Sequence, residues 1–280
     1  MQMKFSTPCA FRDEIMVSSF GFSGAMDPNT VCYKIFPRDL KGVLLTGTYE
    51  EILNSIPSGN YQAGVAFLGN CGMEDEFIKN LSQKAGCGLT GGSAAIDPKT
   101  GEKGLVLGRG QAAVYLIADE RYVITVKSEN IHTVQGECAV RLKSPRVFAS
   151  IDGQDPVTWF NARRLERSLS DTDFEHFTLS DSLGVNAHLS IADGELVSGR
   201  NLEETMFLRY VAPDEVDEKI RIFYDDETAL VCGCAGLKGI LKAPMNTRGT
   251  GLFLFGEVCT VNGVSKFGNL MLSKLCVNEK

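Results

Sequence analysis

Residues 63–72 read Ala-Gly-Val-Ala-Phe-Leu-Gly-Asn-Cys-Gly, a short apolar run that ends in a glycine-rich bend. Residues 229–236 repeat this pattern as Ala-Leu-Val-Cys-Gly-Cys-Ala-Gly. A run of this length and composition is typical of a buried β-strand, and glycine permits the backbone conformations that a tight bend requires. The two stretches therefore predict equivalent strands in the two halves of the chain.

The residues around the first run favour helices between strands. Apolar residues recur at helical spacing over residues 73–85, and Gly86 follows where a helix C-cap is expected. Thr48 is a suitable N-cap for a shorter helix that ends before Pro57. A third helix is predicted over residues 156–169.

Strands joined by short turns dominate the second half of the chain. Residues 207–211, 220–224 and 252–258 have strand-like composition, and Asn262-Gly263 is typical of a hairpin turn. The expected fold class is α+β (mixed α/β), with mainly antiparallel or mixed sheets flanked by helices.

Four landmarks recur in the same order, which predicts an internal repeat with pseudo-symmetric halves at residues 1–145 and 146–280. If the glycine-rich bends of both halves meet, they would line a cleft, and such clefts are common places for small-molecule sites. The paired landmarks are residues 69–72 with 233–236, 86–89 with 249–252, 99–101 with 261–263, and 108–110 with 267–269.

Composition excludes several classes of function. The 280 residues are 44% hydrophobic and carry a net charge of −7, with no Lys/Arg-rich run, which argues against nucleic-acid binding. No apolar stretch is long enough to cross a bilayer, and the first residues lack the pattern of a signal peptide. The nine cysteines are odd in number and scattered, as expected of reduced thiols. We therefore expect a cytoplasmic protein without membrane or nucleic-acid partners.

Polar and charged residues in the glycine-rich segments are candidate contacts for a small carboxylate or amino acid. The backbone N–H groups of residues 91–93 can bind a carboxylate, and Arg109 and Arg248 lie at roughly equivalent places in the repeat, where a guanidinium can clamp one. Glu257 can receive a ligand amine. The candidate ligand-binding residues are Asn70, Cys71, Gly91, Gly92, Ser93, Arg109, Cys234, Arg248, Glu257 and Asn269.

Each candidate also has a structural explanation: a bulge for a glycine pair, a solvated charge for an arginine, a salt bridge for a carboxylate. A thiol-dependent enzyme would use Cys71 or Cys234, although a small buried thiol is the commoner role. Haem would need an axial ligand, and His188 is the best placed histidine. Residues 86–91 fit the GxGxxG pattern of dinucleotide sites, but a helix instead of a strand is predicted before them.

Several of these motifs together resemble the FIST family. The similar passages are residues 89–97, 148–156, 229–236, 251–257 and 267–269. The resemblance extends over about residues 60–280. The chain departs from the family in a shorter N-terminal region and in having Leu237-Lys238 where the family has an arginine.

The resemblance implies an N-like half at 1–145 and a C-like half at 146–280. It implies a sensory module for a small molecule such as an amino acid, without catalytic activity of its own. Signal output would then pass through a protein partner. Some members of the family bind haem, so a haem-based gas sensor stays an alternative; no other cofactor is predicted.

Overall fold

Three β-sheets and four helices make up the part of the chain that the structure describes. The structure is a computed structural model, and it describes residues 5–11, 14–19, 40–93, 109–166, 176–224, 228–234, 236–237, 250–254 and 256–280. The predicted α+β class is confirmed. Within these ranges, every helix is too short or too polar to cross a bilayer.

Six strands form the first sheet, called the N-sheet: β3 (Gly42–Thr48), β4 (Ala63–Leu68), β5 (Gly88–Ser93), β6 (Gln111–Ile117), β17 (Glu257–Val261) and β18 (Val264–Gly268). Their order is β18-β17-β5-β4-β6-β3, in which β4 and β5 are parallel and the other neighbours antiparallel. Helix α1 (Tyr49–Ser55) connects β3 to β4, and α2 (Glu74–Ala85) connects β4 to β5.

Local signals explain these boundaries. Thr48 and Glu51 form a capping box at the start of α1, as a Thr N-cap predicts. Gly86 ends α2 in the left-handed conformation, and its N–H donates to the Ser82 carbonyl. Asn262-Gly263 makes the turn between β17 and β18, with φ of 51° and 77°.

Six further strands form the C-sheet: β1 (Phe5–Phe11), β2 (Glu14–Ser19), β7 (Tyr122–Glu129), β15 (Thr228–Cys234), β16 (Thr250–Leu254) and β19 (Leu272–Glu279). Their order is β2-β1-β16-β15-β19-β7, in which β15 and β16 are parallel and β15-β19-β7 antiparallel. Helix α4 (Val216–Phe223) precedes β15.

The two sheets repeat one topology. The order β5-β4-β6-β3 matches β16-β15-β19-β7 in chain order, pairing direction and position of the parallel pair. The predicted pseudo-symmetry is therefore present in the strand arrangement. The hairpins depart from it, because β1-β2 joins the C-sheet with β1 parallel to β16, whereas β17-β18 joins the N-sheet with β17 antiparallel to β5. The division at residue 145 stays a prediction, and sheet membership crosses it.

The N-sheet and C-sheet pack face to face, with helices on their outer faces. Val65 and Phe67 of β4 share an apolar core with Leu230 of β15. Alternate residues such as Leu68 face the other way and pack under α1 and α2. Helix α4 covers the outer face of the C-sheet. The result is four layers, α/β/β/α.

Residues 220–224 were expected to form a strand, and this prediction was wrong, because residues 220–223 complete α4. Val216, Ile220 and Phe223 recur at helical spacing and are all buried. Asp217 and Glu218 occupy the first turn, where carboxylates favour a helix. The helical spacing of apolar residues over 216–223 indicates the helix correctly, whereas the composition of residues 220–224 alone does not.

A third sheet, called the inserted sheet, lies between β7 and α4 in sequence. Its strands are β8 (Thr133–Ser144), β9 (Val147–Ile151), β10 (Phe177–Ser180), β11 (Asn186–Ala187), β12 (Leu189–Ala192), β13 (Glu195–Ser198) and β14 (Thr205–Tyr210). They are antiparallel, in the order β11-β10-β14-β8-β9-β13-β12. Helix α3 (Pro156–Glu166) packs Trp159 and Phe160 into its core, so the predicted helix is present; residues 167–169 of the prediction lie outside the described residues.

Candidate functional site

The end of β5 meets the bend that follows β16, where the two halves of the repeat touch. Glu257 at the start of β17 is paired with Gly92. The Ser93 N–H donates a hydrogen bond of 2.9 Å to the carbonyl oxygen of Gly256, and a Cβ on Gly92 would overlap that oxygen. Glycine is required because the two backbones approach so closely.

Cys234, the last residue of β15, completes this junction. Its thiol lies near the carboxyl group of Glu257 and the backbone of Gly236 and Leu270, all of which act on its pKa. Burial raises the pKa of Cys234 well above its ordinary value, and nearby Glu257 adds to the effect. The thiol is therefore protonated at neutral pH and is a poor nucleophile in this state.

Glu257 is fully buried and only partly paired. The Met271 N–H donates to its Oε1 at 2.6 Å, whereas Oε2 has no hydrogen-bond partner among the described residues. Burial raises the pKa of Glu257 well above its ordinary value, although the Met271 N–H and the nearby Cys234 thiol act in the opposite direction. Burial therefore favours the neutral carboxyl group, and its Oε2 is a buried polar atom without a described hydrogen bond.

Glu257 also affects the pKa values of two further thiols, Cys232 and Cys259, and of the Tyr224 phenol. Burial raises the pKa of Cys232 to about 12, with Glu257 contributing in the same direction. Burial likewise raises the pKa values of Cys259 and Tyr224 well above their ordinary values, and Glu257 again adds to both. Burial thus favours the uncharged form of each of these acidic side chains.

Asn269 lies next to this junction without contacting Glu257 in any described hydrogen bond. Its Oδ1 accepts the His188 N–H at 3.2 Å, and its own N–H donates to the Asn186 carbonyl at 3.0 Å. Asn269 therefore connects the segment before Met271 to the inserted sheet.

A second cluster forms at the end of β4. The Ser93 hydroxyl donates to Asn70 Oδ1, and Arg109 Nη2 donates to the Cys71 carbonyl at 3.3 Å. Paired residues such as Glu257 and Gly92 face the same side of the N-sheet, so Ser93 faces the opposite side. The structure therefore brings four predicted residues together on the helix-covered face of the N-sheet, next to the β5 position that pairs with Glu257. They are Asn70, Cys71, Ser93 and Arg109.

Glu74 occupies the backbone donors of this second cluster. Its Oε1 accepts the N–H groups of Cys71 and Gly72 at 2.5 and 2.8 Å, and its Oε2 is 2.8 Å from Arg146 Nη2. Burial opposes ionisation of Glu74, but these hydrogen bonds outweigh it and lower its pKa. The amides before α2, which could otherwise bind an anion, are thus filled by the protein itself.

Sequence reasoning missed several residues of both clusters. Glu74 was not among the predicted site residues, and its partner Arg146 lies 72 residues away. The Tyr49 hydroxyl donates to the Gly69 carbonyl at 2.9 Å, beside Cys71. Met271 acts through its backbone N–H, for which side-chain identity gives no signal.

Other predicted features lie elsewhere or outside the described residues. Arg248 and the turn at 99–101 fall outside them, so the proposed equivalence of Arg109 and Arg248 stays a prediction. Residues 86–91 follow helix α2 and lead into strand β5, which begins at Gly88. A dinucleotide site needs the reverse order, a strand followed by a helix. His188 is largely buried, and burial lowers its pKa. The described residues contain no group of three or more His, Cys, Asp or Glu side chains suited to a metal ion.

A cleft of about 1040 Å³ lies beside α2, the start of β5 and the β17–β18 turn. No predicted site residue lines it. Arg200 and Lys266 reach it, but their nitrogens lie 3.0 and 2.8 Å from the same Asp181 oxygen. Its basic groups are therefore largely neutralised by the protein.

Comparison with known proteins yields no assignment: neither the protein-family models nor the curated proteins include a match to this chain. The FIST resemblance therefore stays a prediction that rests on the motifs quoted above.

Proposed function

We propose that the chain is a sensory module that binds a small amine-bearing ligand, such as an amino acid, at the junction of the two halves. The ligand amine pairs with Glu257. The role of Arg109 and Arg248 in binding a ligand carboxylate stays a separate prediction, because Arg109 lies with Ser93 on the opposite, helix-covered face of the N-sheet. The sensory role and an output through a protein partner rest on the FIST resemblance.

The unpaired Oε2 of Glu257 is the observation that carries this proposal. A buried oxygen without a hydrogen bond destabilises a protein by about 1–3 kcal/mol, so such atoms are rare unless something else pairs with them. An ammonium group supplies both a hydrogen bond and the opposite charge. It would also favour ionisation of the carboxyl group, because a nearby positive charge stabilises the carboxylate.

Full burial of Glu257 has a consequence for binding. A ligand reaches Oε2 only after the junction opens, so we expect association well below the usual 10⁵–10⁷ M⁻¹s⁻¹ that rigid surfaces show. Gly92 and Gly256 are in close backbone contact, so β5 and β17 stay together. We therefore expect opening to move this end of the N-sheet away from the C-sheet. Slow, saturable association kinetics would be the signature of this step.

Calorimetric titration with matched ligands tests the proposal. Each amino acid is compared with its N-acetyl derivative and with the acid that lacks the amine. We expect amino acids to bind the wild type, and Glu257→Gln to weaken binding at least tenfold. Glu137→Gln, on an exposed strand, is the control and should bind as the wild type does. Binding that survives loss of the ligand amine or of Glu257, or no binding across the set, would overturn the proposal.

A further inference from the structure

Leu270 adopts an unusual backbone conformation directly before the residue that binds Glu257. Its φ is 54°, in the left-handed region, and its side chain is fully buried. A non-glycine residue held there costs about 1–3 kcal/mol and persists only where its surroundings enforce it. This conformation turns the next peptide so that the Met271 N–H donates to Glu257 Oε1 at 2.6 Å.

Asn186 of the inserted sheet is hydrogen-bonded to the backbone on both sides of the Asn269–Leu270 peptide. Its Nδ2 donates to the Leu270 carbonyl at 3.2 Å, and its backbone carbonyl accepts the Asn269 N–H at 3.0 Å. Asn186 is therefore bonded on both sides of the peptide that links Asn269 to Leu270. It is itself fully buried.

Asn186 is in turn oriented by a neighbouring amide. Asn130, between β7 and β8, exchanges two hydrogen bonds with Asn186, at 2.5 and 3.0 Å. The Asn130 carboxamide oxygen also accepts the His132 N–H at 2.9 Å. This reciprocal amide pair fixes the orientation of the Asn186 carboxamide, so that its Nδ2 faces the Leu270 carbonyl and His132 Nδ1, each at 3.2 Å.

We infer that Asn186 is a positioning residue for the ligand site: it holds Leu270 in the left-handed conformation and thereby aims the Met271 N–H at Glu257. That the Glu257 junction is a ligand site rests on the proposed function. The inserted sheet is then the element whose movement would release the Glu257 hydrogen bond, because β11 carries Asn186.

Hydrogen exchange of the Met271 amide in the ligand-free protein tests the inference. Asn186→Leu removes every side-chain hydrogen bond of Asn186, to Leu270, Asn130 and His132, at similar volume. Because the Leu270–Met271 peptide is then no longer held, we expect Met271 to exchange roughly tenfold faster relative to Leu275 of β19. Asn186→Asp keeps the acceptor for Asn130 but loses the donor to Leu270, and it gives the same result should Asn186→Leu fail to fold.

A second background and a matched control separate positioning from general support. Leu270→Gly removes the penalty of the left-handed conformation together with a buried side chain, so it serves as a second background: in Leu270→Gly, adding Asn186→Leu should accelerate Met271 exchange much less than it does in the wild type. Thr178→Val removes a buried hydrogen bond of the inserted sheet, to the Ala187 carbonyl, and should leave the Met271 to Leu275 ratio unchanged.

Three results would overturn the inference: unchanged Met271 exchange in both Asn186 variants, equal acceleration in Thr178→Val, or the same acceleration by Asn186→Leu in the Leu270→Gly background as in the wild type. These measurements need no ligand. A failed ligand screen with the expected exchange pattern would therefore refute the proposed function and leave the positioning role standing.

Discussion

Replacing Glu257 with glutamine should remove a pH dependence of folding stability that the buried carboxyl group creates. In the unfolded chain this group has a pKa of about 4.3, whereas burial raises it in the folded protein. Between these two values the folded state holds a proton that the unfolded state has lost. Stability is then fully present below the unfolded pKa and falls as pH rises toward the folded pKa.

One such group changes the free energy of unfolding by about 1.4 kcal/mol per pH unit. Over a pH interval that lies between the unfolded and the folded pKa, the wild type should therefore lose this amount for each pH unit through Glu257 alone. Glu257→Gln cannot ionise, so its stability minus that of the wild type should grow by this amount. Taking the difference cancels every other titrating group that the two proteins share.

Urea unfolding of both proteins at a series of pH values measures this difference. Glu74→Gln is the matched control, because Glu74 is also buried but its hydrogen bonds lower its pKa. Its contribution has the opposite sign: it is present above the unfolded pKa and lost as pH falls through the folded pKa. We therefore expect Glu74→Gln to destabilise the protein by about 1–3 kcal/mol at neutral pH and less in acid. A Glu257→Gln difference that stays constant with pH would refute the reasoning.

Two further predictions concern the backbone and the thiols. Gly91→Ala should destabilise the protein by about 3 kcal/mol in chemical unfolding, because the new Cβ would overlap the Ala66 carbonyl, while Gly136→Ala, with open space around it, should stay within about 0.5 kcal/mol. Cys71 and Cys87 are both half-buried, but burial raises the pKa of Cys87 to about 11, so mass spectrometry after alkylation near pH 8 should find Cys71 modified far sooner. Preferential labelling of Cys87 would contradict the second expectation.

Signals within a few residues of one another predicted much of the fold. The Thr48 cap, the Gly86 C-cap and the Asn262-Gly263 turn depend on the conformational preferences of single residues, and all three are present. The repeat was visible because glycine-rich bends follow both β4 and β15. What could not be predicted was which sheet each hairpin joins, because strand pairing between β17 and β5 depends on contacts more than 160 residues apart in sequence.

The candidate site was predicted in part for the same reason. Residue types at strand ends identified Cys234 and Glu257 separately, and the structure brings them into contact. The hydrogen bonds that set their chemistry come from backbone groups, such as the Met271 N–H, which any residue would supply. Asn186 gave no signal at all, because a buried asparagine in a short strand is recognised only through its partners.

Glu74 and Glu257 show two ways of burying a carboxyl group, and the contrast favours a binding role for the second. Glu74 has an ion pair and two backbone donors, which is how a structural carboxylate is normally satisfied. Glu257 keeps one oxygen unpaired, and the neighbouring Leu270 carries backbone strain. Each feature destabilises the folded protein by roughly 1–3 kcal/mol, and a fold under selection for stability alone would replace both. Under the proposed function, the ligand ammonium group pairs with the free oxygen, whereas the Leu270 conformation is held by Asn186 and keeps the Met271 N–H on the other oxygen.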